Sequence, residues 1–443
     1  MSEQKLKKEI TFFSAFATVM GTVIGAGVFF KVASVTELAQ SPLISLLAWA
    51  FGGIITIFAG LTCAELATAI PKTGGAIKYV EYTYGKFWGF LLGWAQMIIY
   101  FPANIAALSI IFSTQFLHLF SLPKTWLIPT AIVVAISVTM INMLGTKAAA
   151  SFQSWSLIVK LIPIALIIVF GLWKGSGGVA DVFVLTAGER EGFLGHFAPA
   201  LFATLFAYDG WLNVGNLAGE MKHPEKVLPK AIFWGLTFVT VVYVIINLTF
   251  LVTLSFDAIK GNLNTASDSA IQIFGQFGGK LVTIGILVSV YGAINGYTMT
   301  GLRVPYALAT EHLLPFSHHI KKLSPKLSVP FVAVLLQLTI AIGMILLGSF
   351  DLLTDMLIFV MWAFSVLIFL AVPILRKKEP ELNRPYKVPF YPWIPLLAIF
   401  GGCFILLTTL ITNLKLAIMG ILLTLLGAPI YFYQIRKNKN VKL

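Results

Sequence analysis

Two short stretches carry residue types that could hold a small charged solute with backbone atoms alone. Gly21-Thr22-Val23-Ile24-Gly25-Ala26-Gly27 interrupts the first apolar run, and Phe206-Ala207-Tyr208-Asp209-Gly210-Trp211 interrupts another about 185 residues later. Glycine lets a helix unwind and a ligand approach the backbone. Unpaired N–H and C=O groups do not survive in hydrocarbon, so a break at membrane depth implies a cavity. Unwinding near Gly25 opens a new helix at Ala26 and Gly27, whose free N–H groups and positive dipole end suit a carboxylate. The carbonyls of Thr22, Val23 and Ile24, and those of Leu205, Phe206 and Ala207 on the other break, suit an ammonium group. An anion site beside a cation site matches the head group shared by all α-amino acids. Strings of small residues also let membrane helices pack closely; the matching second break favours a binding site over simple packing.

Around these breaks stand a few charged and polar residues. Lys160 lies in Trp155-Ser156-Leu157-Ile158-Val159-Lys160-Leu161-Ile162, and an intramembrane charge is a functional hypothesis by default. Its ammonium placed against the unwound part of the first helix would occupy the space of a sodium ion; the alternative is snorkelling toward the membrane surface. Asp209 reads as the N-cap of the half-helix after the second break, with a counter-charge or a proton carrier as its other roles. Tyr208, Tyr243 and Asn295 are candidates for the pocket or gate, and for the last two interhelical hydrogen bonding is the plainer role. Glu65 and Glu220 sit at helix ends near basic residues, as gate or interface ion pairs or as ordinary solvated charges.

The elements that must position these residues follow from composition. The 443 residues are 58% hydrophobic and 11% charged, against about 25% charged in a soluble domain. Apolar runs able to cross about 30 Å of hydrocarbon fall at 11–39, 44–69, 87–117, 125–144, 153–173, 196–219, 230–254, 280–309, 330–349, 352–373, 393–412 and 415–434. The sequence therefore predicts one all-α membrane domain of about 12 transmembrane helices. If each break opens a five-helix repeat, the odd number inverts the second repeat relative to the first: repeat one about 11–175, repeat two about 196–373, then two peripheral helices at about 393–434. The segment 264–278 is too short to span and predicts a re-entrant or capping helix, or an ordinary surface helix. Most of the 31 Lys and Arg lie in connections on the side of the termini, which predicts cytoplasmic N- and C-termini in the cytoplasmic membrane.

The same census assigns the net charge of +13 to topology rather than to a nucleic-acid partner. Cys63 and Cys403 each sit in an apolar run, as small core residues, so neither a disulfide framework nor a cysteine metal site is predicted. His318-His319 lacks further ligands, and no metal or other cofactor is expected. A membrane enzyme would need a nucleophile with a base, a metal cluster or a phosphate loop, none of which the sequence carries. An ion or solute channel also uses broken helices and exposed carbonyls, but the sequence offers no ring of charges. Alternating-access transport remains, as exchange or as sodium- or proton-coupled uptake.

The chain resembles the L-type amino acid transporters of the amino acid-polyamine-organocation superfamily, and among them bacterial alanine-serine-cysteine exchangers. The matching pieces are GTVIGAGVF at 21–29, ELATAIPKTGG at 65–75, FAYDGW and GEMKHPEKVLPKAI within 206–232, RVPYALATEHLLP at 303–315 and NRPYKVP at 383–389. The resemblance implies the inverted repeat with discontinuous helices 1 and 6, and sodium-independent exchange of small neutral amino acids such as alanine, serine and cysteine. It places the substrate carboxylate on the N–H groups of Ala26 and Gly27 and the amino group near Val23, Ile24, Phe206 and Ala207, and it supports Lys160 as a surrogate cation. Animal members join a heavy subunit through a cysteine between helices 3 and 4. Here that connection, His118 to Trp126, has no cysteine, so a disulfide-linked heavy subunit is not expected.

Overall fold

Every long apolar run in the chain carries a helix among its described residues. The structure, a computed structural model, describes residues 11–70, 75–145, 159–175, 177–183, 192–212, 223–324 and 329–440, with the single positions 152, 155, 156 and 221. The helices are α1a (Phe12–Val23) and α1b (Gly27–Ala39), α2 (Pro42–Ala69), α3 (Lys86–Leu119), α4 (Lys124–Met143), α5 (Leu161–Lys174), α6 (Phe193–Thr204), α7 (Pro224–Thr253), α8 (Thr265–Thr310), α9 (Phe331–Leu347), α10 (Phe350–Lys378), α11 (Trp393–Thr412) and α12 (Leu414–Asn438). Eight of them are long and apolar enough to span a bilayer alone, α1a and α1b form a ninth span bent by 48°, and α5, α6 and α9 are shorter apolar helices. Each of the twelve predicted segments thus carries a helix. No β-strand occurs among the described residues, and the chain is an all-α, multi-pass membrane protein.

Local chemistry sets several ends. Ser349 caps α10 by accepting the Leu352 N–H at 3.3 Å, while Arg376, Lys377 and Lys378 occupy its last turn, where cations oppose the helix dipole. The segment 264–278 is helical, the first arm of α8, kinked at Gly275 with φ 73°. That arm is tied to α3, where Gln115 donates to Leu263 O at 2.8 Å and accepts from Ser267 Oγ at 2.5 Å.

The helices that carry the breaks are held by close backbone approach. α1a packs along α7, and α6 packs on α1b and α2. Small residues make room: Gly235 of α7 faces Val19 of α1a, and Gly52 of α2 faces Thr204 and Tyr208. Without a hydrophobic drive between helices in lipid, such close packing is what holds them together.

Candidate functional site

In α1 the regular helix stops at Val23 and resumes at Gly27, with Ile24, Gly25 and Ala26 as bends. The last bond of the first half runs from Ile24 N–H to Met20 O at 2.7 Å, and the first of the second half from Phe29 N–H to Ala26 O at 3.0 Å. The N–H groups of Ala26, Gly27 and Val28 therefore stand at an open helix N-terminus, where an anion is favoured. α6 stops at Thr204, and residues 205–210 continue as turns. The two breaks touch: a Cβ added at Gly27 would fall 2.5 Å from Ala207 Cα, and one at Gly210, with φ 102°, would fall 2.7 Å from Thr22 O. Gly25 differs, since a Cβ there would meet nothing nearer than Val23 O at 3.8 Å; its missing side chain is cavity space.

The cavity between the breaks measures about 170 Å³. It gathers ten residues singled out from sequence: Thr22, Val23, Ile24, Gly25, Ala26, Gly27, Lys160, Phe206, Ala207 and Asp209. Leu205, Tyr208, Tyr243 and Asn295 do not line it. Tyr208 donates instead to Trp49 O of α2 at 2.7 Å. Asn295 of α8 accepts from Asn142 of α4 at 2.9 Å, the interhelical role expected of it. Sequence reasoning missed Phe101, Leu108, Ala293, Gly296, Tyr297, Met299 and Thr300, which together with Gly21 complete the lining. One signal was present for Phe101: Pro102 in the following position lacks an N–H, and the helix turns wide there, with Phe101 N–H reaching back five residues to Gln96 O. Such π-turns accompany functional sites.

Lys160 is 6% exposed and donates to Gly21 O at 2.5 Å. Its ammonium thus rests on the last turn of α1a, and among the described residues no ion pair includes it. Tyr243 stands behind the cavity wall, with its hydroxyl 2.9 Å from Val23 O and 3.0 Å from Ala207 O. One hydroxyl has one proton, so it bridges the two unwound segments while satisfying only one carbonyl at a time. Of the other two carbonyls expected to receive an ammonium, Phe206 O accepts Asp209 N–H at 3.3 Å, and Ile24 O has no hydrogen bond among the described residues.

The Asp209 carboxylate is held by Tyr100 of α3 at 2.5 Å and Tyr297 of α8 at 3.3 Å. The half-helix it was expected to cap falls at 213–220, outside the described residues, as does Glu220. Glu65, buried at the end of α2, receives Arg376 at 2.8 and 2.6 Å and Val388 N–H at 2.8 Å. It is an interface ion pair, locking α2 to α10 and the strand of chain that follows.

Phe206 of the cavity lining packs on a further aromatic ring, which stands beside an ion triad. Phe206 meets Phe350 edge-on with centroids 5.7 Å apart. Beside them Lys31 of α1b, wholly buried, donates to Asp351 and Asp355 of α10 at 2.8 Å each. Lys31 lies within the first apolar run, 11–39, and was not singled out from sequence. Only the fold brings it to two acids more than three hundred residues away.

These features have relatives. The family model for amino acid permeases matches residues 10–423. The chain belongs to the amino acid permease family. A serine/threonine exchanger of Bacillus subtilis (strain 168), SteT, is 43% identical to this permease over 435 residues, 98% of each chain. The Asc-type amino acid transporter 1 of Mus musculus is 30% identical over 440 residues, 96% of the permease and 81% of its own length. The human cystine/glutamate transporter is 28% identical over 438 residues, 97% and 85% of the two chains. The permease is thus an amino acid transporter of the superfamily that its sequence motifs resemble.

Proposed function

We propose that the permease exchanges small neutral L-amino acids, alanine, serine, threonine and cysteine, across the cytoplasmic membrane by alternating access, without sodium. The observation that carries this reading is the juxtaposition of the open N-terminus at Ala26 and Gly27 with Lys160 on Gly21 O, in one cavity. The N–H groups take the substrate carboxylate. The substrate ammonium takes Ile24 O and whichever of Val23 O and Ala207 O the Tyr243 proton leaves free, with Phe206 closing over it. Lys160 supplies a fixed positive charge where a coupling ion would otherwise brace the unwound helix.

Size and polarity support the substrate class. A cavity of about 150 Å³ accommodates benzene, and alanine has as many non-hydrogen atoms as benzene has carbons. The carboxylate of Asp209 gives a hydroxyl side chain an acceptor, in keeping with the serine/threonine exchanger named among the relatives. Read with the sequence, α1 to α5 and α6 to α10 form the inverted repeats, α11 and α12 lie at the periphery, both termini face the cytoplasm, and the permease works without a disulfide-linked heavy subunit.

The test is counterflow. Purified permease in liposomes loaded with serine takes up labelled serine, empty liposomes do not, and replacing sodium by choline changes nothing. Equal entry into empty liposomes refutes exchange and makes the protein a uniporter or channel. Entry only with a sodium or proton gradient makes it a coupled carrier.

A further inference from the structure

A second feature lies on the outside of the bundle. Between α2, α7 and α11 runs an apolar groove of about 650 Å³, walled by Phe58, Trp234, Phe390, Trp393 and Leu397. It adjoins a smaller hollow of about 320 Å³ containing Lys226; Lys230 and Trp234 belong to both. The aromatic walls are open rather than packed: Trp234 is 55% and Trp393 68% exposed.

Charge in the groove has one sign. Lys226 and Lys230 are the charged groups of the lining, and no carboxylate shares it. They stand four residues apart near the start of α7, so their side chains share a face. The nearest acid in sequence, Glu225, faces His223 at 3.4 Å. Among the described residues neither lysine has an ion-pair partner. Aromatic rings of this kind settle at the membrane interface, and basic pockets between helices there select anionic head groups.

We propose that this groove binds an anionic phospholipid, its phosphate on Lys226 and Lys230 and an acyl chain along Trp234, Trp393 and Leu397. A free anion would use the lysines and leave the apolar trough unused; a zwitterionic lipid would leave the charge pair without its advantage. The groove is built on the same helices that hold the breaks, since α7 carries Gly235 against Val19 of α1a. An occupant therefore stabilises the framework of the transport site without touching it.

Each lysine near a membrane surface contributes about 1 kcal/mol toward an anionic lipid, so phosphatidylglycerol binds about thirtyfold more tightly than phosphatidylcholine at about 1.4 kcal/mol per factor of ten. The experiment follows the melting temperature of the full permease in detergent, titrated with dioleoyl phosphatidylglycerol, dioleoyl phosphatidylcholine or inorganic phosphate. Phosphatidylglycerol raises it in the wild type, and the Lys226→Gln/Lys230→Gln variant loses that rise while keeping its lipid-free melting temperature. A Trp393→Ala variant shrinks the response to the long-chain lipid but not to a dihexanoyl analogue. An equal rise with phosphatidylcholine, a rise with inorganic phosphate alone, or an undiminished rise in the double variant overturns the proposal. Should the double variant unfold, native mass spectrometry of wild-type protein against both lipids decides it: equal retention of the two overturns it.

Discussion

Replacing Lys160 by methionine separates the requirements of stability from those of transport. The ammonium is 6% exposed, and its hydrogen bond to Gly21 O at 2.5 Å is worth about 1.5–3 kcal/mol as a charged bond. Taking an ion out of water costs several kcal/mol, and among the described residues no carboxylate repays it. Methionine has nearly the same length and no charge, so it recovers that cost. It gives up the bond and leaves Gly21 O unsatisfied at about 1–3 kcal/mol. The two sides nearly cancel, and the melting temperature of Lys160→Met in detergent stays within a few degrees of the wild type or rises. Exchange does not escape so lightly. If the bond holds α1a in the geometry that opens and closes, its full value appears in the rate, a fall of about ten- to a hundredfold at about 1.36 kcal/mol per decade. Serine counterflow in serine-loaded liposomes is the assay. A wild-type rate in the variant, or a rate and melting temperature that collapse together, refutes the argument.

Other substitutions probe the remaining contacts. Tyr243→Phe removes the proton shared by Val23 O and Ala207 O, and the melting temperature falls by the equivalent of about 1–3 kcal/mol together with exchange. Gly27→Ala drives a methyl group into the Ala207 backbone at 2.5 Å; because backbone cannot swing aside, folded protein recovered by size-exclusion chromatography drops sharply or serine exchange is lost. Asp209→Asn weakens the acceptor offered to a substrate hydroxyl, so competition assays show serine and threonine losing affinity about fivefold while alanine changes little, a neutral acceptor being worth about 1 kcal/mol less. Glu65→Gln breaks the two-point contact with Arg376 and lowers stability by roughly 2–3 kcal/mol, measured by thermal melting, with the substrate affinity of the folded fraction unchanged.

The sequence by itself determined the solvent, the helices and the place of the breaks. Runs of apolar residues and a low charge content leave a chain no alternative to helices in a bilayer, and clustered glycines at 21–27 and at Gly210 mark where helices cannot continue evenly. Lys160 was legible for the same reason, because a lone ammonium in an apolar run has to find an acceptor. Partners drawn from far along the chain were not legible. Nothing near Lys31 in sequence announces Asp351 and Asp355, and nothing near Asp209 announces Tyr100 and Tyr297. Tyr243 and Asn295 looked alike on paper as polar residues in apolar helices. Only the tertiary structure set Tyr243 behind the two breaks, and Asn295 against Asn142 away from the cavity. Periodicity fixes what a helix is made of, but its rotation and neighbours come from close packing of many small residues at once. Which side chains reach the cavity is therefore decided by the fold.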